Sequence, residues 1–159
     1  MSDTFLKSLT RSLTGGTPLA TSSWNFAANS IVSVTGFLVN VATAAIGYST
    51  GAGGAVTQLT NRTTGVTLST PTGQITTNNT TLAAEAAAVF TVTNTKVLIG
   101  DVIAVSIQSG SNGGNTKVTV NTVAAGSFVI QVANDNAAAG TAETGAIIIN
   151  YAIIRAVAA

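Results

Sequence analysis

The chain has 159 residues, of which 46% are hydrophobic and 7% are charged, with a formal net charge of +1. This length predicts a single domain that can bury a sizeable core. The chain has no histidine and no cysteine, which excludes the commonest general base, disulfide bonds and thiolate metal sites. An ordinary soluble domain has about a quarter of its residues charged. The sparse charge therefore predicts that other copies or other proteins cover much of the surface.

The N-terminal residues 1–18 predict an arm that begins with a short amphipathic helix over Ser2–Thr14. Apolar residues recur there at helical spacing, namely Phe5, Leu6, Leu9 and Leu13. Two basic residues, Lys7 and Arg11, lie four apart on a neighbouring face. We expect these six side chains to anchor the arm on a partner surface; a locally packed terminus is the alternative. A hinge is predicted at Gly15–Pro18.

The following segment, Leu19–Tyr48, is apolar and carries no charge. Trp24 and Phe26 are two residues apart and would lie on one face of a strand. We expect both of them, with Phe37, at an oligomer interface rather than at a sugar or base. Polar residues interrupt the most apolar part, which falls short of the uninterrupted span of about 20 residues that crosses a bilayer. No membrane span is predicted.

From Ala55 onward, short segments of alternating residues separated by turn signals predict an all-β sandwich or barrel. The first four predicted strands are Ala55–Thr60, Gly65–Ser69, Gly73–Thr77 and Val89–Thr93. The alanine-rich segment Leu82–Ala88 predicts either a turn or two of helix or a loop.

The clearest alternation lies between Asp101 and Arg155, where three apolar runs predict an antiparallel sheet. The second run, Lys117–Ala133, breaks at Ala124–Gly126. In the last run one face is predicted to consist of Ile147, Ile149, Tyr151 and Ile153. The opposite face is predicted to consist of Ile148, Asn150, Ala152 and Ile154. Because both faces are largely apolar, we expect this strand to be paired on both sides, with Ile148 and Ile154 at an oligomer interface.

Residues that carry chemistry are few, and they form no local motif. The glycine-rich loop Gly47–Gly54 leads into a strand-like segment, which disfavours a nucleotide cradle. The five acids are predicted to be solvated loop residues: Asp3, Glu85, Asp101, Asp135 and Glu143. A glycosidase pair drawn from distant acids is the alternative, because such pairs are close in space rather than in sequence. The segment Asn134–Asn136 predicts either a cation site or an Asx turn. Basic residues are scattered, so we expect no nucleic-acid partner. We also expect no enzyme activity, no metal and no cofactor.

The order of several short segments carries a resemblance to a known class of protein. These are Gly47–Tyr48, Gly51–Gln58, Thr64–Leu68, Gly73–Thr76, Phe90–Asn94, Asp101–Ile103, Ala124–Phe128 and Asn150–Ile154. Together they resemble a module of β-rich virion structural proteins of tailed phages of aquatic bacteria, cyanophages among them. The resemblance covers residues 47–157.

The resemblance implies a structural protein of the particle surface, on the head, the tail or a fibre. The leading expectation is a capsid decoration (cement) protein that is trimeric and bound to the major capsid protein. Its residues 19–159 would form an antiparallel β-sandwich of jelly-roll type. The alternative is a tail-fibre or receptor-binding module whose loops Ser109–Thr116 and Asn134–Thr144 contact host glycans. These loops contain no aromatic residue, which disfavours the alternative because such sites favour aromatic anchors.

Overall fold

A computed structural model describes residues 46–111 and 115–156, which fold into eight β-strands without a helix. They belong to a compact unit that begins at Ile46. The strands are β1 (Ala55–Thr57), β2 (Val66–Thr67), β3 (Thr72–Thr76), β4 (Ala87–Thr93), β5 (Val102–Ser109), β6 (Thr116–Ala124), β7 (Ser127–Asn134) and β8 (Ile148–Ile154). The predicted N-terminal arm lies outside the described residues.

The strands form two four-stranded sheets. The first sheet has the order β1-β3-β8-β5, and the second sheet has the order β2-β4-β7-β6. Both sheets contribute side chains to one hydrophobic core. The predicted all-β sandwich is therefore confirmed, while the jelly-roll type stays a prediction.

Two strand pairs depart from the expected antiparallel arrangement, because β1 is parallel to β3 and β2 is parallel to β4. The first four strands alternate between the two sheets along the chain. Strands i and i+2 are then neighbours in one sheet and run the same way. The remaining pairs within the sheets are antiparallel.

The break in the second apolar run is a hairpin turn between β6 and β7. Ala124 pairs with Ser127, so the turn consists of Ala125 and Gly126. Gly126 has a φ of +81°, a conformation that glycine adopts without the steric cost of a Cβ. The turn therefore lies where the alternation of the sequence breaks.

The last strand, β8, lies at the centre of the first sheet between β3 and β5. Its predicted inner face is confirmed, because the side chains of Ile147, Ile149, Tyr151 and Ile153 are all buried. The ring of Tyr151 meets the ring of Phe128 on β7, with 5.3 Å between the centroids. This contact joins the two sheets, and the pairing of β8 on both sides is as expected.

The alanine-rich segment Leu82–Ala88 forms a loop up to Ala86, and its last two residues begin β4. Leu82 makes an isolated bridge with Glu143 and buries its side chain in the core. Glu85 has a φ of +61°, and its N–H group donates to the carbonyl of Asn134. These tertiary contacts outweigh the helix propensity of the alanines.

Candidate functional site

The outer face of the first sheet consists of uncharged side chains in regular rows. On this face Gln74 of β3, Asn150 of β8 and Ser106 of β5 are register partners. The next row consists of Thr72, Ala152 and Ala104. The strands β1, β3, β5 and β8 contain no charged residue. This face can therefore bind by hydrogen bonds and apolar contact, but not by ion pairs.

A shallow cleft of about 560 Å³ lies on this face. It is lined by side chains of the two rows and by the backbone at Gly53 and Gly54. Above β8, the Nε2 atom of Gln74 donates to the Oε1 atom of Gln108 over 2.7 Å. The Oδ1 atom of Asn150 is buried and has no hydrogen-bond partner among the described residues. Because a buried acceptor without a donor costs free energy, this atom would favour a partner that brings a neutral donor.

An exposed apolar patch adjoins the cleft at the far end of the sheet. Val102 and Ile154 are register partners across β5 and β8 and are 52% and 56% exposed. Leu98 and Ile99, in the turn before β5, are also exposed. The structure thus places the predicted interface residue Ile154 on an open surface. The second predicted residue, Ile148, is half-buried at the opposite end of the same face.

Beside this patch, Asp101 is buried, which corrects the prediction that it is a solvated loop acid. Its Oδ2 atom accepts a hydrogen bond from Arg155 Nη1 at 2.6 Å and from the N–H group of Leu98 at 2.8 Å. Asp101 can be buried because the guanidinium compensates its charge. The charged groups beside this apolar patch are therefore paired with each other, and Asp101 does not present a free charge to a partner.

The prediction for Glu143 is also wrong, because this side chain is fully buried. Its Oε2 atom accepts hydrogen bonds from Thr116 Oγ1 at 2.6 Å and from Ser111 Oγ at 3.1 Å. These hydroxyl groups lie 27 and 32 residues away along the chain. The spacing of these residues in the sequence therefore gave no indication that the two hydroxyl groups bind Glu143.

Arg62 is buried at the same end of the sandwich. Its guanidinium donates to the carbonyls of Thr80, Glu143 and Gly145 and to Thr77 Oγ1. Burial lowers the pKa of Arg62, and the negative charge of Glu143 opposes this shift. Each of these groups accepts from Arg62, so this side chain connects the loops at this end of the sandwich.

The loop at Asn134–Asn136 forms an Asx-rich turn. The Nδ2 atom of the buried Asn134 donates to the carbonyls of Leu82 and Thr141. Asp135 pairs with Lys117, with 2.5 Å between the Nζ and Oδ2 atoms. A cation would have to compete with this ammonium group. The part of the chain that the structure describes contains no group of three or more acidic residues that could hold a metal ion.

Nine of the predicted site residues lie outside the described residues. They are Phe5, Leu6, Lys7, Leu9, Arg11, Leu13, Trp24, Phe26 and Phe37. Their predicted roles in anchoring and in the oligomer interface stay predictions. The residues that sequence reasoning missed are the amides of the outer face, because glutamine and asparagine on a strand carry no motif.

Comparisons with protein families, with curated proteins and with solved structures find no match to this chain. No helix in residues 46–111 and 115–156 is long and apolar enough to cross a membrane.

Proposed function

We propose that the protein is a capsid decoration (cement) protein of a virion. In this role it binds the outer surface of the major capsid shell and stabilises the head through contacts between capsomers. The observation that supports this most is the uncharged outer face of the first sheet, with its exposed patch of Leu98, Ile99, Val102 and Ile154. A large apolar patch on a surface marks a site of contact with another molecule.

The proposed mechanism is mechanical. Each copy removes apolar surface from water, at about 25 cal/mol for each Å² buried. A stable protein interface buries roughly 1,600 Å² in total, and a shell repeats such a contact many times. The hydrogen-bonded sheets suit this role because they hold the contact residues in fixed positions.

The arm of residues 1–18 and the homo-oligomer are part of the proposal. The apolar residues of the arm, together with Lys7 and Arg11, would bind the major capsid protein. Contacts between copies would involve Trp24, Phe26, Phe37, Ile148 and Ile154, and we expect these contacts to form a trimeric unit. Neither a nucleic acid nor a membrane is needed for this function.

A tail-fibre or receptor-binding module is the second candidate. The cleft supports it in one respect, because neutral amides and hydroxyls can bind the hydroxyl groups of a neutral glycan. Against it, Tyr151 is the one aromatic residue among the described residues that line the cleft, and it is buried and cannot stack on a sugar ring. The loops predicted to contact glycans contain no aromatic residue either. The decoration role is therefore favoured.

Copy number tests the proposal. The virions that contain this protein would be purified and their proteins quantified by mass spectrometry, with the major capsid protein as the internal reference. A decoration protein is expected at a ratio to the capsid protein that reflects the number of capsomers. A ratio that matches a few fibres per particle would refute the decoration role and support the receptor-binding module.

A further inference from the structure

The β5 strand differs from the other sheet edges in the described residues. Edge strands are normally protected from pairing by shortness, by charge, by proline or by a bulge. The edges β1 and β2 are only three and two residues long. The edge β6 contains Lys117, and its register shifts between Val120 and Thr122. β5 has eight residues without charge or proline. Its register with β8 is continuous from Val102 to Ile107 and shifts only at the end of the strand, between Ile107 and Ser109.

Hydrogen bonds of β8 show which backbone groups of β5 point outward. The Ile153 N–H group donates to the carbonyl of Pro71, and the Ile147 carbonyl accepts from the N–H group of Thr77. Both bonds point toward the β3 side. In a strand, successive residues point their backbone groups to opposite sides. The even-numbered residues of β8 therefore point toward β5.

The register then determines the directions in β5. Ala104 lies opposite Ala152, and Ser106 lies opposite Asn150, so these residues direct their backbone groups at β8. Ile103 and Val105 direct their N–H and C=O groups away from the sheet. No strand of the described residues pairs with β5 on that side. Unpaired backbone groups of this kind are strong hydrogen-bonding groups that favour a partner strand.

The side chains of β5 also fit a neighbouring strand. Val105 and Ile107 are only half-buried on the inner face, although they pack against the core. Ala104 and Ser106 are exposed on the outer face and are small. A strand beside β5 would complete the cover of the inner residues and would meet no bulky group on the outer face.

We propose that β5 pairs antiparallel with β5 of a second copy about a two-fold axis, which joins two first sheets into one eight-stranded sheet. The proposal rests on the proposed function to the extent that it names the contact between copies. A second copy fits because β5 carries no charge, so identical residues can meet without repulsion. The Asp101–Arg155 ion pair lies at one end of β5, and a two-fold axis keeps the two ion pairs apart.

A two-fold contact through β5 restricts the number of copies in the oligomer. A three-fold ring would need β5 to pair with a different edge of its neighbour, and the other described edges are short or blunted. The β5 contact therefore produces an even number of copies. A trimer contact made by another surface would combine with it to give a hexamer.

The full-length protein would be studied by light scattering coupled to size-exclusion chromatography over a concentration series. The wild type is expected to have the mass of an even number of chains. Ala104→Lys and Ser106→Lys add the charge that natural edges carry, and each is expected to weaken pairing at least tenfold. Thr119→Lys is the matched control, because Thr119 is exposed on the edge strand β6. Circular dichroism would verify that each variant is folded.

Amide hydrogen exchange supplies a measurement that needs no variant. The amides of Ile103 and Val105 are expected to be protected at high protein concentration and to exchange rapidly on dilution. The proposal is overturned by a monomer or an odd number of chains, by protection of both amides in the monomer, or by an equal effect of Thr119→Lys. A chain abundant on heads but monomeric in solution overturns only the β5 contact, whereas an even oligomer that is absent from heads overturns only the decoration role.

Discussion

Arg62 shows how much of this domain's organisation depends on a single side chain. One guanidinium binds three loop carbonyls and a threonine hydroxyl from segments that are 15 to 83 residues away in the chain. Its nearest opposite charge, Glu143, is held by hydroxyl groups of two further segments. Removing either charge would leave polar groups buried without a partner, which is costly in a protein interior.

The substitution Arg62→Met tests the contribution of this guanidinium to stability. We expect the free energy of unfolding to fall by about 3–5 kcal/mol, as for other buried charges that lose a partner. Lys117→Met is the control, because the Lys117–Asp135 pair is largely exposed and such pairs contribute at most about 1 kcal/mol. Urea unfolding of both variants measures the difference. Equal losses in the two variants would contradict the assigned role of Arg62.

At the level of elements, β8 connects the two sheets through Tyr151. The hydroxyl group lies 3.0 Å from Thr70 Oγ1 and accepts from Asn94 Nδ2 at 3.2 Å, while the ring packs on Phe128. Burial raises the pKa of Tyr151 above its ordinary value of 10.0, although the hydrogen bonds from Thr70 and Asn94 act in the opposite direction.

The raised pKa predicts a loss of stability at alkaline pH. Above pH 10.0 the tyrosine of the unfolded chain loses its proton, whereas the folded protein retains it. The unfolded state then binds fewer protons, so the free energy of unfolding falls by up to about 1.4 kcal/mol per pH unit until the folded pKa is reached.

Urea unfolding across this pH range, with Tyr151→Phe as the reference, measures the effect. Below pH 10.0 the variant is expected to be less stable by about 1–3 kcal/mol, because Asn94 and Thr70 lose a partner. The difference in the free energy of unfolding between the wild type and the variant should shrink as the pH rises. A difference that stays constant with pH would show that the pKa of Tyr151 is the same in the folded and unfolded states.

The strands were predictable to different extents. Alternation identified β4 to β8 and the inner face of β8, because a strand with one buried face leaves a period of two in the sequence. The segment Leu82–Ala88 remained ambiguous, since alanine favours a helix and the contacts of Leu82 and Glu85 decide otherwise. The parallel pairs β1–β3 and β2–β4 left no signal in the sequence.

At the scale of the whole molecule, the proposed function separates anchoring from folding. All eight described strands lie between Ala55 and Ile154. Deletion of Ser2–Pro18 is therefore expected to preserve the β-rich circular dichroism spectrum and the oligomer, and to abolish binding to empty heads.

Co-sedimentation with purified heads measures this binding, with the full-length chain as the control. The arm contributes the apolar residues and the two basic residues that we expect to contact the major capsid protein. Wild-type occupancy by the shortened chain would disprove the anchoring role of the arm. An unfolded shortened chain would disprove the separation of anchoring from folding.

The candidate site was only partly predictable. Ile154 was predicted at an oligomer interface because both faces of its strand are apolar. The structure leaves this residue exposed, and its place in an interface stays a prediction. The unpartnered acceptor of Asn150 and the bond between Gln74 and Gln108 were not predictable. Both features depend on β3 and β5 being the two neighbours of β8. The sequence of one strand does not specify which strands lie beside it.

The sequence alone determined that the described residues fold as β-strands around one core and that the chain has no histidine and no cysteine. Composition and alternation are local properties, and they need no knowledge of which segments meet. Only the tertiary structure decided that Asp101 and Glu143 are buried and that Arg62 binds groups of several loops. It also decided that β5 has no partner strand on its outer side among the described residues. Each of these depends on contacts between residues far apart in the chain, and the physical cost of burying a charge or leaving a backbone group unpaired is set by those contacts.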